Sequence, residues 1–418
     1  MIDHLPWFQL ADPYVRREIT VRDLITHRTG FGLGAGDLLW WPPSTYDRKQ
    51  IARRMRGLPL EHSFRSEYGY SNVLYLVAGE VIEAVSGVPW EGFVESRLLK
   101  PVGMEDSSVR LSDVGKAPNS ATTHARIEGT VRPIAPFDSD NTNPAGGINA
   151  SALDMGKWLR VHLASGRLPD GSMLFRPETA KELATLVTPR PVYDPAPGLE
   201  ALRANFNGYA LGFAVRDYRG HKVVGHSGGL PGYVSMVSML PELKLGVVVL
   251  TNQESGAALS AITYHILDFY LRANDTAWLE AFKKDDARNR AEAAAADKEV
   301  RAERNEASGP SLPLANYAGL YRDSWYGDVS IELSEDGRLV MRFVHSPSLV
   351  GEMEHWQHDT FVVRWFDREL RADAFVTFAL RPDGGVEQAK MKAVSEATDF
   401  SFDFHDLLLK PAPSKANE

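Results

Sequence analysis

Apolar residues recur along this chain with two periods, one helical and one extended. In YSNVLYLVAGEVIEAVSG, residues Val73, Leu74, Val77, Val81, Ile82 and Val85 follow the 3.6-residue period of an amphipathic helix. Small Ala78 and Gly79 permit close packing there, and Gly87 ends it. ITVRDLITHRTGFG predicts a shorter helix, with Thr20 as N-cap and Val21, Leu24 and Ile25 on one face. A short basic helix is expected over 48–56, and PWEGFVESRLLKPVGM predicts another helix, closed by Pro101 and Gly103. Ser151 caps a further amphipathic helix in ASALDMGKWLRVHLASG, with Asp154 completing a capping-box-like pair. The run ALSAITYHILDFYL predicts one more.

The extended period is clearest in HKVVGHSGGLPGYVSMVSMLPELKLGVVVLTN. It reads as strand, turn at Leu230-Pro231-Gly232, strand, turn and buried strand, preceded by a hairpin at Arg219-Gly220. Gly225-His226-Ser227-Gly228-Gly229 matches the G-x-S-x-G pattern of a nucleophile elbow. That motif needs a helix after its serine, and a strand follows here, which argues against Ser227 as the attacking group.

Beyond the last amphipathic helix the texture changes twice. Residues 282–310 are alanine-rich with mixed charge and end in Gly-Pro, the pattern of a solvated helical linker. From about Leu314 onward short alternating strands are separated by turns such as Glu335-Asp336-Gly337 and Asp383-Gly384-Gly385. The expected division is 1–275, a linker over 276–312, and a β-rich module over 313–418.

Composition narrows the chemistry. A net charge of −9 argues against nucleic acid or an anionic membrane surface as the main partner. No apolar run approaches the roughly 20 residues that span a bilayer. The absence of cysteine excludes disulfides, thiolate zinc sites and a cysteine nucleophile. The 12 histidines are mostly scattered, without His-Glu-x-x-His. Glu352, His355 and His358 lie close together, but their spacing does not put them on one helical face. No metal or cofactor is predicted.

Three local features belong together: THRTG after the first short helix, Tyr70-Ser71-Asn72 at the start of the long helix, and His226-Ser227-Gly228 on a strand. In order and spacing they resemble the serine β-lactamase-like hydrolases, a group with class C β-lactamases, DD-peptidases, esterases and D-aminopeptidases. PAGGINASALDMGKWL is similar to that family's glycine turn and helix, and the C-terminal β module resembles an appendage found behind such hydrolases. The resemblance implies an α/β (α+β) fold: an antiparallel sheet flanked by helices, a helical region, and a small β-rich domain behind them.

Acyl transfer needs a nucleophile, a base and donors for the developing oxyanion. By resemblance Tyr70 is the phenol near the nucleophile, able to relay a proton where nearby cations depress its pKa. Asn72 would hydrogen-bond a lysine and the substrate amide; as a plain structural residue it would be an N-cap. His226 stands where many relatives carry lysine, and would bias the site or bond Tyr70 or a substrate carboxylate. Gly228 and Gly229 would let substrate lie against the strand as an added partner, with the Gly229 N–H an oxyanion donor and Ser227 a substrate-contacting or packing hydroxyl. Trp40 and Trp41 suit either a pocket wall or packing. The implied partner is a small-molecule or peptide-like substrate. For a complete precursor the resemblance implies a periplasmic or secreted location.

One part of the family pattern is missing. No serine in the chain is followed by lysine three positions on. Ser96 with Lys100 and Ser112 with Lys116 are spaced four apart, and neither serine starts a helix. The opening MIDHLPWFQLADPY resembles a mid-domain phrase of the family, which leads to the expectation of a lost upstream segment with Ser-x-x-Lys. The alternative is a member that has abandoned catalysis. Loss of the first strands would also leave an unpaired sheet edge and a marginally stable core.

Overall fold

The computed structural model describes residues 1–114, 119–273 and 276–413. Lys116 and the expected boundary at 275 lie outside the described residues. Sixteen strands are found among those described: β1 (His124–Ile127), β2 (Thr130–Pro133), β3 (Thr188–Pro189), β4 (Asn207–Tyr209), β5 (Ala214–Tyr218), β6 (His221–Leu230), β7 (Tyr233–Leu240), β8 (Leu245–Thr251), β9 (Gly319–Arg322), β10 (Asp328–Leu333), β11 (Leu339–Phe343), β12 (Val350–Gln357), β13 (Thr360–Trp365), β14 (Ala374–Leu380), β15 (Val386–Ala393) and β16 (Leu408–Pro411).

β3 to β8 form one antiparallel sheet in chain order, while β1 and β2 make a separate hairpin. The period-2 pattern sorts the strands' side chains to two faces. Val215, Val224 and Met239 pack with Leu159 of the helix Ala152–Leu163. Tyr218, Leu240, Val247 and Val249 pack on the opposite side with Leu259 and Leu267 of the helix Gly256–Leu271. The β5–β6 turn has Arg219 and Gly220 at φ +48° and +80°, the left-handed pair that a two-residue hairpin requires. Gly228 and Gly229 lie within β6, and the turn falls after them, with Gly232 at φ +83°. Ser227 is thus mid-strand, with no helix behind it. On the far side of β8 no strand pairs among the described residues.

The long helix Val73–Ser86 buries Val73, Leu74, Leu76, Val77 and Val81, and Gly87 closes it at φ +72°. The helix Trp278–Ala302 is less detached than its charge suggests. Trp278 and Phe282 are buried against the sheet's helix, and Trp278 Nε1 donates to Asp268 Oδ2 at 2.7 Å. Further along it turns largely to solvent, as its mixed charge requires.

β9 to β16 close into an eight-stranded antiparallel barrel, with β16 pairing β9 through Lys410–Arg322 and Pro411–Tyr321. Closure leaves no free edge. Val329, Ile331, Met341, Phe343, Phe361 and Val376 fill its interior. Glu352 is ion-paired to Arg338 at 2.8 Å on its outside. The barrel shares one apolar cluster with the N-terminal part, in which Leu38, Leu39 and Trp40 pack with the barrel's aromatic residues. Arg54 Nη1 donates to the Trp325 carbonyl at 2.9 Å, and the Thr45 N–H donates to the His345 carbonyl at 2.8 Å.

Candidate functional site

The site is assembled around a capped loop. Thr20 and Asp23 form a capping box at the start of Val21–Leu24. Asp23 also accepts from Arg28 Nε and Arg65 Nη2, each at 2.7 Å. Burial opposes its charge, but these hydrogen bonds prevail and hold its carboxyl down at about 2. The loop so tied presents His27, fully buried and at φ +52°. The His27 carbonyl accepts from the Gly69 N–H at 2.9 Å, and His27 Nδ1 accepts from the Ser71 N–H at 3.2 Å. The Tyr70 carbonyl accepts from the Gly34 N–H at 2.8 Å. The backbone on both sides of Tyr70 is therefore fixed before the long helix begins.

Gly69 is required there by close approach: a Cβ on it would lie 1.9 Å from the Phe31 carbonyl oxygen. Gly69→Ala is expected to destabilise the chain by about 3 kcal/mol or more, because backbone must move to accept it. Gly156→Ala, in an open helical position, should instead add about 0.5–1 kcal/mol. Urea midpoints of the two variants against the parent check the contrast.

Four tyrosine rings surround His27. Their centroids lie at 4.3 Å (Tyr70), 4.7 Å (Tyr209), 5.3 Å (Tyr75) and 5.6 Å (Tyr68) from the imidazole. Burial first, then His226 and Arg190, push the His27 pKa down to about 3, so it is neutral at pH 7. Since Nδ1 accepts, the proton sits on Nε2, which is buried without a protein partner.

β6 brings His226 to the same group, 6.3 Å from the Tyr70 ring and 6.0 Å from Tyr209. Burial lowers the His226 pKa, and Arg190, stacked 4.6 Å over Tyr68, adds to that. Tyr70 is pushed well above 10 by burial, then by Tyr75, Asp37 and Tyr68. No described cation counters this, so the phenol stays protonated, able to donate a hydrogen bond but neither a ready base nor a ready acid.

Asn72 occupies the N-cap position of Val73–Ser86 but makes no capping bond. Its Nδ2 donates instead to Asp37 Oδ2 at 2.8 Å. Asp37 is fully buried and also accepts from Trp40 Nε1 at 3.1 Å and Ser401 Oγ at 3.0 Å. Burial outweighs these three donors and raises its carboxyl to about 7. Trp40 and Trp41 are buried against each other and Phe137, so they pack rather than line an open wall.

Ser227, Gly228 and Gly229 are exposed. On one side they pair with Met236, Ser235 and Val234 of β7. β5 leaves β6 at the Ala214–Gly225 pair, so 226–230 have no strand partner on their other side among the described residues. That free edge starts at the residue whose ring faces Tyr70. Sequence reading missed His27, Asp37 and Tyr209; only the THRTG phrase signalled the first. Elsewhere, Glu61, His405 and Asp406 bring possible ligand atoms within 4.8 Å of one another, two of the three residues being exposed. An open hollow lined by Pro191, Tyr193, Leu199 and Arg216 has none of Tyr70, Asn72 or His226 in its wall.

Comparison with known proteins bears on the family and the fold. Residues 2–270 match the family model described as Beta-lactamase, and residues 303–411 match one described as a domain of unknown function (DUF3471). The chain is 27% identical over 353 residues to an unguisins hydrolase of Aspergillus campestris, covering 80% of this chain. It is 25% identical over 265 residues to penicillin-binding protein 4 of Amycolatopsis lactamdurans, covering 62% of this chain. It spans 62% of the length of the first and 66% of the second. The octameric penicillin-binding protein homologue from Pyrococcus abyssi shares the fold, with TM-score 0.51, 20% identity, and coverage of 98% of this chain and 84% of that one. No single described helix is long and apolar enough to cross a membrane.

Proposed function

The chain belongs to the beta-lactamase family, and from that premise we propose that its cleft receives an ester, amide or β-lactam for hydrolysis through an acyl-serine intermediate. These 418 residues supply the substrate-facing groups and no Ser-x-x-Lys, and the expected outcome for them alone is no turnover. The observation that carries the reading is the meeting of the Tyr70 and His226 rings at the start of the free β6 edge. Substrate lies along that edge as an added strand, a mode in which backbone hydrogen bonds supply affinity. The Gly229 N–H is the oxyanion donor, Gly228 allows close approach, and Ser227 contacts substrate. Tyr70, held protonated, donates a hydrogen bond to the substrate, and neutral His226 bonds it or the substrate. Asn72 acts through Asp37, holding the loop beside Tyr70 in place.

A second reading is a non-catalytic binding protein using the same cleft. The bond from Asn72 to Asp37 and the protonated state of Tyr70 favour it, since both groups are set for holding rather than activating.

Both readings make one measurement decisive for this polypeptide. Intact-mass analysis after incubation with benzylpenicillin or 4-nitrophenyl acetate should show no covalent addition. A stoichiometric adduct would overturn the assignment of Tyr70, Asn72 and His226 as a cleft without its own nucleophile.

A further inference from the structure

The barrel reaches into this site with one short segment, residues 399–404. Its second residue, Phe400, sets its ring edge-on to Tyr70 at 6.0 Å. Its carbonyl and ring also press on Gly34, where a Cβ would lie 2.7 Å from the carbonyl oxygen and 2.9 Å from ring Cδ2. The next residues clamp the segment. Ser401 Oγ donates to Asp37 Oδ2 at 3.0 Å, and the Ser401 N–H donates to its own turn's Asp399 Oδ1 at 2.9 Å. Asp403 is fully buried and accepts the Gly36 N–H at 2.6 Å and the Leu38 N–H at 2.9 Å. Phe402 and Phe404 are buried in the shared apolar cluster. Phe400 alone among the three is left 42% exposed. A large apolar ring held rigidly beside a polar site, with nearly half its surface in water, is a preorganised contact for an apolar group.

We propose that Phe400 of the barrel is a specificity-determining wall of the acyl cleft, packing against an aromatic or bulky apolar group that the substrate carries next to its reacting carbonyl. The inference rests on the acyl-cleft reading and adds the substrate class. It also gives the barrel a role in recognition, because Ser401 and Asp403 position Phe400 through the loop that bears Asp37. A substrate group that covers the exposed ring removes apolar surface from water on both partners, which is worth more for a phenyl than for a methyl.

The test uses a matched pair of neutral probes, N-benzoylglycinamide and N-acetylglycinamide, titrated into the 418-residue chain and followed by NMR. The parent should bind the benzoyl probe about tenfold more tightly than the acetyl probe. Phe400→Ala should bring that ratio towards one with the acetyl probe unaffected, and Phe400→Leu should lie between. Phe366→Ala, which truncates another exposed barrel phenylalanine, should leave the ratio as in the parent. Unchanged near-ultraviolet circular dichroism establishes that the variants are folded. A benzoyl preference that survives in folded Phe400→Ala overturns the wall and leaves the acyl cleft standing. If the parent binds neither probe, the acyl-cleft reading and the inference fall together.

Discussion

Asp403→Ala is expected to lower the unfolding free energy of the chain by about 2–5 kcal/mol, read as a shift of the urea midpoint. The reason is local and countable. The carboxyl is fully buried and accepts two backbone N–H groups, from Gly36 and Leu38. Alanine leaves both donors buried and unsatisfied, each at about 1–3 kcal/mol. The damage should spread, because the loop between those donors carries Asp37, which holds the Asn72 amide and the Trp40 indole. Tryptophan fluorescence should therefore report a loosened environment before global unfolding. Asp336→Ala, at an exposed barrel turn, should change stability by less than about 0.5 kcal/mol. Equal effects of the two substitutions would sink the claim that Asp403 ties barrel to cleft.

Much of the scaffold was legible from local pattern. The helix Val73–Ser86, its glycine stop, the Arg219-Gly220 hairpin and the β6–β7–β8 meander follow from periodicity and turn chemistry, which act over a few residues. Tyr70 and His226 became visible as a pair only through resemblance, since 156 positions separate them, as their numbers show. The barrel's alternation was readable, but its closure depends on β16 meeting β9, a long-range pairing that alternation does not encode. Trp278 and Phe282 were hidden in a charged, alanine-rich run whose composition speaks for solvent. Asp37 looked like one more loop carboxylate. Its importance comes from partners at Asn72 and Ser401, the latter 364 positions away, and Phe400 is invisible for the same reason. Asn72 shows how a motif can be legible while its bond is not: Tyr70-Ser71-Asn72 can be read from the sequence, but the Asn72 amide goes to Asp37.

The same carboxyl gives the stability a pH dependence of defined sign. Asp37 has its pKa raised to about 7 in the folded chain, against an ordinary 3.8 when unfolded. Between those values the native state holds a proton that the unfolded state has released. Its contribution is thus fully present below about pH 4 and lost as pH rises through about 7. Asp403, pushed up by burial and by Asp37 against its two N–H donors, works in the same direction. His27, His226 and His162 work the other way: burial keeps them neutral when folded, so acid favours their unfolded, charged forms. The raw pH profile therefore mixes opposing contributions, and only a difference isolates the carboxyl. The gap in unfolding free energy between the parent and Asp37→Asn should move in the parent's favour from pH 8 to pH 5, by an amount on the order of 2 kcal/mol. The histidines are common to both proteins and cancel, while any relief of Asp403 in the variant adds with the same sign. Urea titrations of both proteins at the two pH values supply the four numbers needed. A gap that stays constant would mean that Asp37 is ionised throughout, and the site would then carry a buried negative charge beside Tyr70 at neutral pH. That charge would favour a cation in the cleft, so the outcome also decides what kind of group the family's lysine position would meet here.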